Sequence, residues 1–266
     1  MRNLSVLRAG GVTLVSPDSG PLAEGPAERP GRMSEPEVIF EHAVRLLRGG
    51  GALAGRRVVV TAGPTRESLD PVRVITNRSS GKMGYRLAQA AWRRGADVLL
   101  VSGPSAERPP EGVTLRRIES TAELEQAVAE ALPGADALIM AAAPADYRPR
   151  ERLDTKRPRQ EGSLDVSLEA TRDVLMETMG FRKPGAVIVG FALETGDAEV
   201  KGRAKLARKA LDLIVINDAT ESGAGFEVDT NRVTILDRDG GRWPLPLASK
   251  ADVAEAILDR VEARLG

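Results

Sequence analysis

Apolar residues along the chain fall into two alternating patterns. Short, nearly continuous runs rich in Val, Ile and Leu predict strands at 57–62, 97–101, 113–118, 136–141, 186–191 and 212–216. Between them, apolar positions recur at three- and four-residue spacing and predict helices at about 81–94, 121–132, 172–180 and 197–211. Strands this uniformly apolar have no wet face, and a helix after each one supplies the cover that a parallel sheet needs on both sides. The expected fold class is therefore α/β: a doubly wound, mostly parallel Rossmann-like sheet. The rhythm then changes. Residues 226–229 and 232–237 read as strands, Asp239-Gly240 as a tight turn and 242–247 as a return strand, a C-terminal β-hairpin extension closed by a helix at about 249–264.

Ahead of the first strand, Val38, Ile39, Ala43, Leu46 and Leu47 mark a helix over 35–47, and Gly49-Gly50-Gly51 stops it. Residues 1–34 are punctuated throughout by Gly10-Gly11, Pro17, Gly20-Pro21, Gly25-Pro26 and Pro30-Gly31, a composition that predicts an extension without regular structure. The organisation read from the chain is thus an N-terminal extension (1–34), a helix and linker (35–51) and one main domain (52–266). The 266 residues are ample for a buried core. No internal repeat or low-complexity tract interrupts them.

Charge and composition narrow the chemistry. Thirty-eight basic residues balance thirty-eight acidic ones, so neither nucleic acid nor an anionic membrane surface is an expected partner. No apolar run approaches the roughly 18 to 20 residues of a bilayer span, and no signal-peptide core is present, so the expected location is cytoplasmic. Cysteine is absent and His42 is the sole histidine, which excludes disulfides, thiol nucleophiles and Cys/His metal sites. His42 lies in the 35–47 helix and reads as structural. Any reaction must run on Lys, Arg, Asp, Glu, Asn, hydroxyls, backbone amides and a hard metal ion.

In doubly wound sheets ligands sit beyond the carboxyl ends of the strands, so the following loops carry the chemistry. The first, TAGPTRESLDPVRVITNRSSGKMG at 61–84, opens on Gly63 and closes on Ser79-Ser80-Gly81-Lys82, whose small residues and helix-start amides make a cradle for phosphate. It is not the dinucleotide fingerprint, since 17 residues separate Gly63 from Gly81, and strand 97–101 ends in Ser102-Gly103 without the acidic residue that holds a ribose. Nor is it a Walker A loop, because Met83 follows Gly81-Lys82. At the fourth strand, Ala141 to Ala145 let a flat ligand approach the backbone, and Asp146 suits a ribose hydroxyl or a metal ion. Lys156-Arg157-Pro158-Arg159 forms a basic cluster, Gly190-Phe191 falls at a strand end, and Lys205 and Lys209 lie one helical turn apart.

Together these segments closely resemble phosphopantothenoylcysteine synthetase, or phosphopantothenate-cysteine ligase, the C-terminal half of the bacterial bifunctional coenzyme A biosynthesis flavoprotein. The resemblance covers about 52–266 and rests on the 61–84 loop, AAAPADYRP at 141–149, GFALET at 190–195, the Lys205-to-Asp218 run and GFEVDTN at 225–231. Residues 17–36 resemble the tail of the same fusion's flavin-dependent decarboxylase half, with Glu24 where its cysteine stands. No flavin and no decarboxylase activity are expected in this chain.

The resemblance implies a two-step ligation. The carboxylate of 4'-phosphopantothenate attacks the α-phosphate of CTP and expels pyrophosphate, and the amine of L-cysteine then attacks the acyl-cytidylate and releases CMP. Asn77 matches the asparagine that handles the acyl-cytidylate, Arg73 the arginine of the phosphopantothenate end, and Lys156 the first lysine of a K-x-K-K motif that neutralises the triphosphate. Pro158 and Arg159 depart from that motif. Gly63, Ser79, Ser80, Gly81, Ala145, Asp146, Tyr147, Lys156, Asp173, Phe191, Lys205 and Lys209 are the nucleotide-binding candidates. Asp173 sits in Thr171-Arg172-Asp173 where the family often has N-P-D. Mg²⁺ is expected with a triphosphate, with Asp146 as its candidate ligand. A homodimer is implied, with the hairpin near 226–247 or the loop 64–80 as the segment crossing to the partner, and a flavoprotein decarboxylase is a further candidate partner. The alternatives are an NAD(P)-type oxidoreductase and a non-catalytic nucleotide-binding domain on the same scaffold. CTP and ATP are not distinguished by the sequence.

Overall fold

Five consecutive buried residues in Arg57–Ala62, four of them apolar, make a strand that is buried on both faces, and the rest of the sheet grows from it in both directions. The computed structural model describes residues 2–18, 31–48, 50–159, 163–194, 196–218 and 228–266. Along the chain the elements are α1 (Arg2–Ala9), α2 (Pro36–Arg48), β1 (Arg57–Ala62), β2 (Arg66–Ser68), β3 (Val74–Thr76), α3 (Lys82–Arg93), β4 (Asp97–Ser102), β5 (Thr114–Arg117) and α4 (Thr121–Ala131). They continue with β6 (Ala137–Met140), β7 (Tyr147–Pro149), β8 (Leu168–Ala170), α5 (Val174–Thr178), β9 (Val187–Glu194), α6 (Ala198–Arg208) and β10 (Leu213–Asp218). The last are β11 (Thr230–Asn231), β12 (Val233–Asp237), β13 (Arg242–Pro244), β14 (Ala248–Ser249) and α7 (Lys250–Leu265).

The main sheet has eight strands in the order β13-β12-β10-β9-β6-β1-β4-β5. From β5 to β10 all pairs are parallel, and β12 and β13 add an antiparallel edge. The predicted fold class holds, with the hairpin continuing the sheet itself. One face buries α3 and α7 through residues such as Leu87, Ala91, Ile257 and Leu258. The other buries α4, α5 and α6 through Leu124, Val128, Leu175 and Leu206. Gly84 lets α3 approach closely, for a Cβ there would lie 2.5 Å from the Ala62 methyl and 2.8 Å from the Thr61 carbonyl oxygen. Among the described residues no helix is long and apolar enough to cross a membrane.

Several expectations are corrected. Residues 2–9 form a helix, because RNLSVLRA contains neither Gly nor Pro and Gly10-Gly11 comes only afterwards. The expected helix 172–180 starts later, as an α-helix at 174–178 capped by the Asp173 carboxylate, and continues as a 3-10 turn over 179–181. Residues 226–227 lie outside the described ones, and the strand expected there begins only at Thr230. The return strand stops at Pro244, since Pro246 cannot donate to a ladder. His42 is structural, edge-on to the Trp92 ring with centroids 5.1 Å apart. Beside it, Arg45 donates to the carbonyls of Trp92, Gly95 and Ala96 and so caps the carboxyl end of α3, fixing α2 at the amino edge of the sheet.

Candidate active site

The chain winds outward from β1 to β4 and β5 on one side, then returns to build β6, β9 and β10 on the other. The carboxyl ends of β1 and β6 therefore diverge, the place where open α/β sheets hold ligands. Here the loop after β1 crosses to the loop after β6. The Ala143 amide donates to the Gly63 carbonyl at 2.9 Å and the Ala145 amide to Thr65 Oγ1 at 2.8 Å. Gly63 takes a left-handed φ of 74°, and its added Cβ would press on the Gly103 and Pro104 carbonyls, so only glycine turns the chain here without displacing the loop after β4. Asn77 Nδ2 donates to the Pro144 carbonyl at 2.8 Å, bringing the predicted amide onto the Asp146 turn.

Two clefts flank this crossing. On the β6 and β9 side a cleft of about 210 Å³ gathers Ala145, Asp146, Asp173, Phe191 and Lys209. Lys209 Nζ lies 2.8 Å from an Asp173 carboxylate oxygen. Tyr147 opens β7 and is exposed, whereas Ala145 is buried beneath the turn. Lys205 is instead paired with Glu194 at the end of β9. On the β4 and β5 side a larger cleft of about 630 Å³ is lined by Ser79, Ser80, Lys82, Arg66, Arg117 and the 102–107 loop. Gly81, at φ 82°, starts α3 without a side-chain cap of its own, and the Lys82 amide in the first turn donates to Ser80 Oγ at 3.4 Å, so a hydroxyl stands where an anion would meet these amides. The sequence grouped Ser79, Ser80 and Gly81 with Asp146 and Phe191. The structure separates them into these two clefts, with Gly63 between.

Arg73 and Lys156 meet in a third feature. Asp70 is buried and its carboxylate accepts from the amides of Val72 at 2.9 Å, Arg73 at 2.8 Å and Arg157 at 3.3 Å, and from Arg73 Nε at 2.9 Å. Burial alone would raise its pKa, but these donors and the guanidinium together hold it down at about 2. The Leu153 amide donates to the Leu69 carbonyl at 3.0 Å, and Arg73 also donates to the Arg157 carbonyl. Residues 153–157 are thereby tied to the β2–β3 hairpin, and Lys156 stands exposed on that tie.

Sequence reasoning missed Asp70, Arg66 and Arg117. Asp70 lies within the quoted 61–84 loop, but nothing in the sequence marks its burial. Arg66 and Arg117 are brought to one cleft only by the pairing of β4 with β5. Among the described residues no group of three or more His, Asp or Glu side chains converges as a resident metal site would require.

An open parallel sheet with small-residue turns and cations on both sides of its switch point defines a doubly wound α/β protein with its candidate ligand site at the carboxyl edge. The chain belongs to the family described as DNA/pantothenate metabolism flavoprotein C-terminal domain, which matches residues 53–265. It is 44% identical over 265 residues to the coenzyme A biosynthesis bifunctional protein CoaBC of Bacillus subtilis (strain 168), covering 98% of this chain and 65% of that protein. The chain thus spans just under two thirds of that curated relative. The crystal structure of the C-terminal domain of a coenzyme A biosynthesis bifunctional protein CoaBC superposes with a TM-score of 0.69 at 41% identity, over 81% of this chain and 98% of that one. A mutant of Cab2 in complex with phosphopantothenate-cysteine shares the fold with a TM-score of 0.64 at 18% identity, over 87% of this chain and 94% of that one.

Proposed function

We propose that this chain ligates L-cysteine to 4'-phosphopantothenate in coenzyme A biosynthesis, consuming CTP and releasing pyrophosphate and CMP. The observation that carries the reading is Asn77 seated on the 144–146 turn, at the crossing between the two clefts. An acyl carboxylate entering there meets the α-phosphate of a nucleotide lying along Asp146, Asp173, Phe191 and Lys209. Its oxygen forms the new P–O bond as pyrophosphate leaves, and the amide of Asn77 donates to the reacting carbonyl. The amine of L-cysteine then forms the C–N bond, a proton is lost from nitrogen, and CMP departs. No protein nucleophile takes part, which agrees with a chain that has no cysteine and one structural histidine. Positioning and charge neutralisation by Lys156, Lys209 and the amides at the start of α3 supply the catalysis.

A triphosphate brings Mg²⁺, which supplies further charge neutralisation when bound. The donor set fits an ion held mainly by phosphate oxygens and water with the exposed Asp146 as its protein ligand, and does not form a protein cage. The same reading includes a homodimer and, given relatives that are bifunctional CoaBC proteins, a flavoprotein decarboxylase partner. The test is a nucleotide panel in the complete ligation assay. CTP-dependent release of CMP and pyrophosphate, requiring phosphopantothenate for the first product and L-cysteine for turnover, is the expected result. Stabilisation by NADPH alone, with no pyrophosphate formed from any triphosphate, overturns it.

A further inference from the structure

Helices α3 and α7 start side by side at the carboxyl edge of the sheet, and each opens on a lysine. Lys82, the first residue of α3, lines the larger cleft. Lys250, the first residue of α7, is 4% exposed. Asp229 touches both: its Oδ1 lies 2.7 Å from Lys82 Nζ, while its backbone carbonyl accepts from the Lys250 amide at 2.9 Å. The Asp229 side chain is 82% exposed, so it fills no packing role. What it contributes is charge, at a point where two ammonium groups and the positive ends of two helix dipoles converge. Burial first, and then the neighbouring Lys82, lower the pKa of Lys250, with Asp229 and Glu107 opposing. The Lys82 ammonium holds Asp229 itself below the usual carboxylate range.

We infer that Asp229 is a placeholder carboxylate, which occupies Lys82 until a phosphate group enters the cleft at the start of α3 and takes its place. The inference rests on the proposed reading that this cleft receives the phosphate or pyrophosphate portion of a substrate. An exposed ion pair is weak enough to exchange readily. Arg66, Arg117, Ser79 and Ser80 line the same space beside the carboxylates Glu107 and Glu119, with Arg66 3.6 Å from Glu119, so a phosphate entering there finds cations and hydroxyls in addition to Lys82. With the ligand gone, Asp229 returns to Lys82 and competes with rebinding, which makes it a positioning residue that favours product release.

Inorganic pyrophosphate is the probe, titrated by calorimetry into the whole chain. Asp229→Asn is expected to tighten binding about two- to five-fold, the span set by the strength of an exposed pair. In a Lys82→Met background the same change is expected to alter binding by less than its effect in the parent. Unchanged or weaker binding in Asp229→Asn overturns the inference, as does an equal gain in both backgrounds, which reports only a general loss of negative charge. Faster rebinding should also appear as stronger inhibition of ligation by added pyrophosphate in Asp229→Asn. A chain that ligates yet binds no pyrophosphate keeps the ligase reading and loses this one.

Discussion

Asp70 shows how much one side chain organises. Its carboxylate accepts four hydrogen bonds, orients Arg73 and fastens the segment that carries Lys156. Because its pKa is depressed to about 2, the stabilisation it provides is complete above the unfolded-state value near 4 and is lost as pH falls through about 2. Urea unfolding between pH 6 and pH 2 should therefore show a decline confined to the acid end, and Asp70→Asn should flatten that part of the profile. The same substitution should raise the KM for phosphopantothenate and leave CTP binding nearly intact, read by steady-state kinetics and calorimetry respectively. In the proposed mechanism Asn77 acts at the reacting centre, so Asn77→Asp should bind CTP nearly normally and lose ligation. Quench-flow detection of the acyl-cytidylate checks it, and full ligation by that variant would refute the role. Both residues stand in the quoted 61–84 loop, but only Asn77 was singled out there, by the family resemblance, while the role of Asp70 was not legible in the sequence. Neither were their partners, since Pro144 lies 67 and Arg157 87 residues further on.

At the scale of elements, periodicity located all six parallel strands and the main helices, because a strand inside the sheet has to be apolar on both faces whatever its neighbours; β5, at the edge and mostly wet, was found by its position in the strand–helix alternation. The two-stranded β2–β3 and β7–β8 pairs were not foreseen. With three residues each and mostly exposed, they carry no apolar pattern, and their register is set by contact with the main domain. The α3–α7 pair supplies two expectations. Arg94, at the end of α3, reaches Glu255, Asp259 and Glu262 on one face of α7. Arg94→Ala leaves Asp259 and Glu262 without this cation and Glu255 with only Arg48, and should cost about 2–4 kcal/mol in urea unfolding, somewhat below the loss of a fully buried partner. Gly84→Ala forces α3 away from β1 and should cost about 1–3 kcal/mol, with pyrophosphate binding weakened as the cradle shifts.

For the molecule as a whole, α2 and the proposed active site lie at opposite edges of the sheet. Arg45 caps the carboxyl end of α3, whereas the clefts surround its amino end. A chain beginning at residue 52 should therefore melt at lower temperature by scanning calorimetry yet bind CTP with unchanged affinity. The doubly wound architecture was readable in advance, whereas the partition of the site into two clefts was not. That partition depends on which strand lies beside which, and local sequence is silent on strand order.

The reversal of winding at β1 has an evolutionary corollary. The loop that follows this strand lines one hollow and is hydrogen-bonded through Gly63, Thr65 and Asn77 to the loop that lines the other, so each hollow can drift in sequence without disturbing its neighbour, provided those bonds are kept. A swap of nucleotide preference by grafting the segments around Asp173 and Phe191 from a related enzyme is thus a modular change, and the opposite hollow should recognise its own ligand as before.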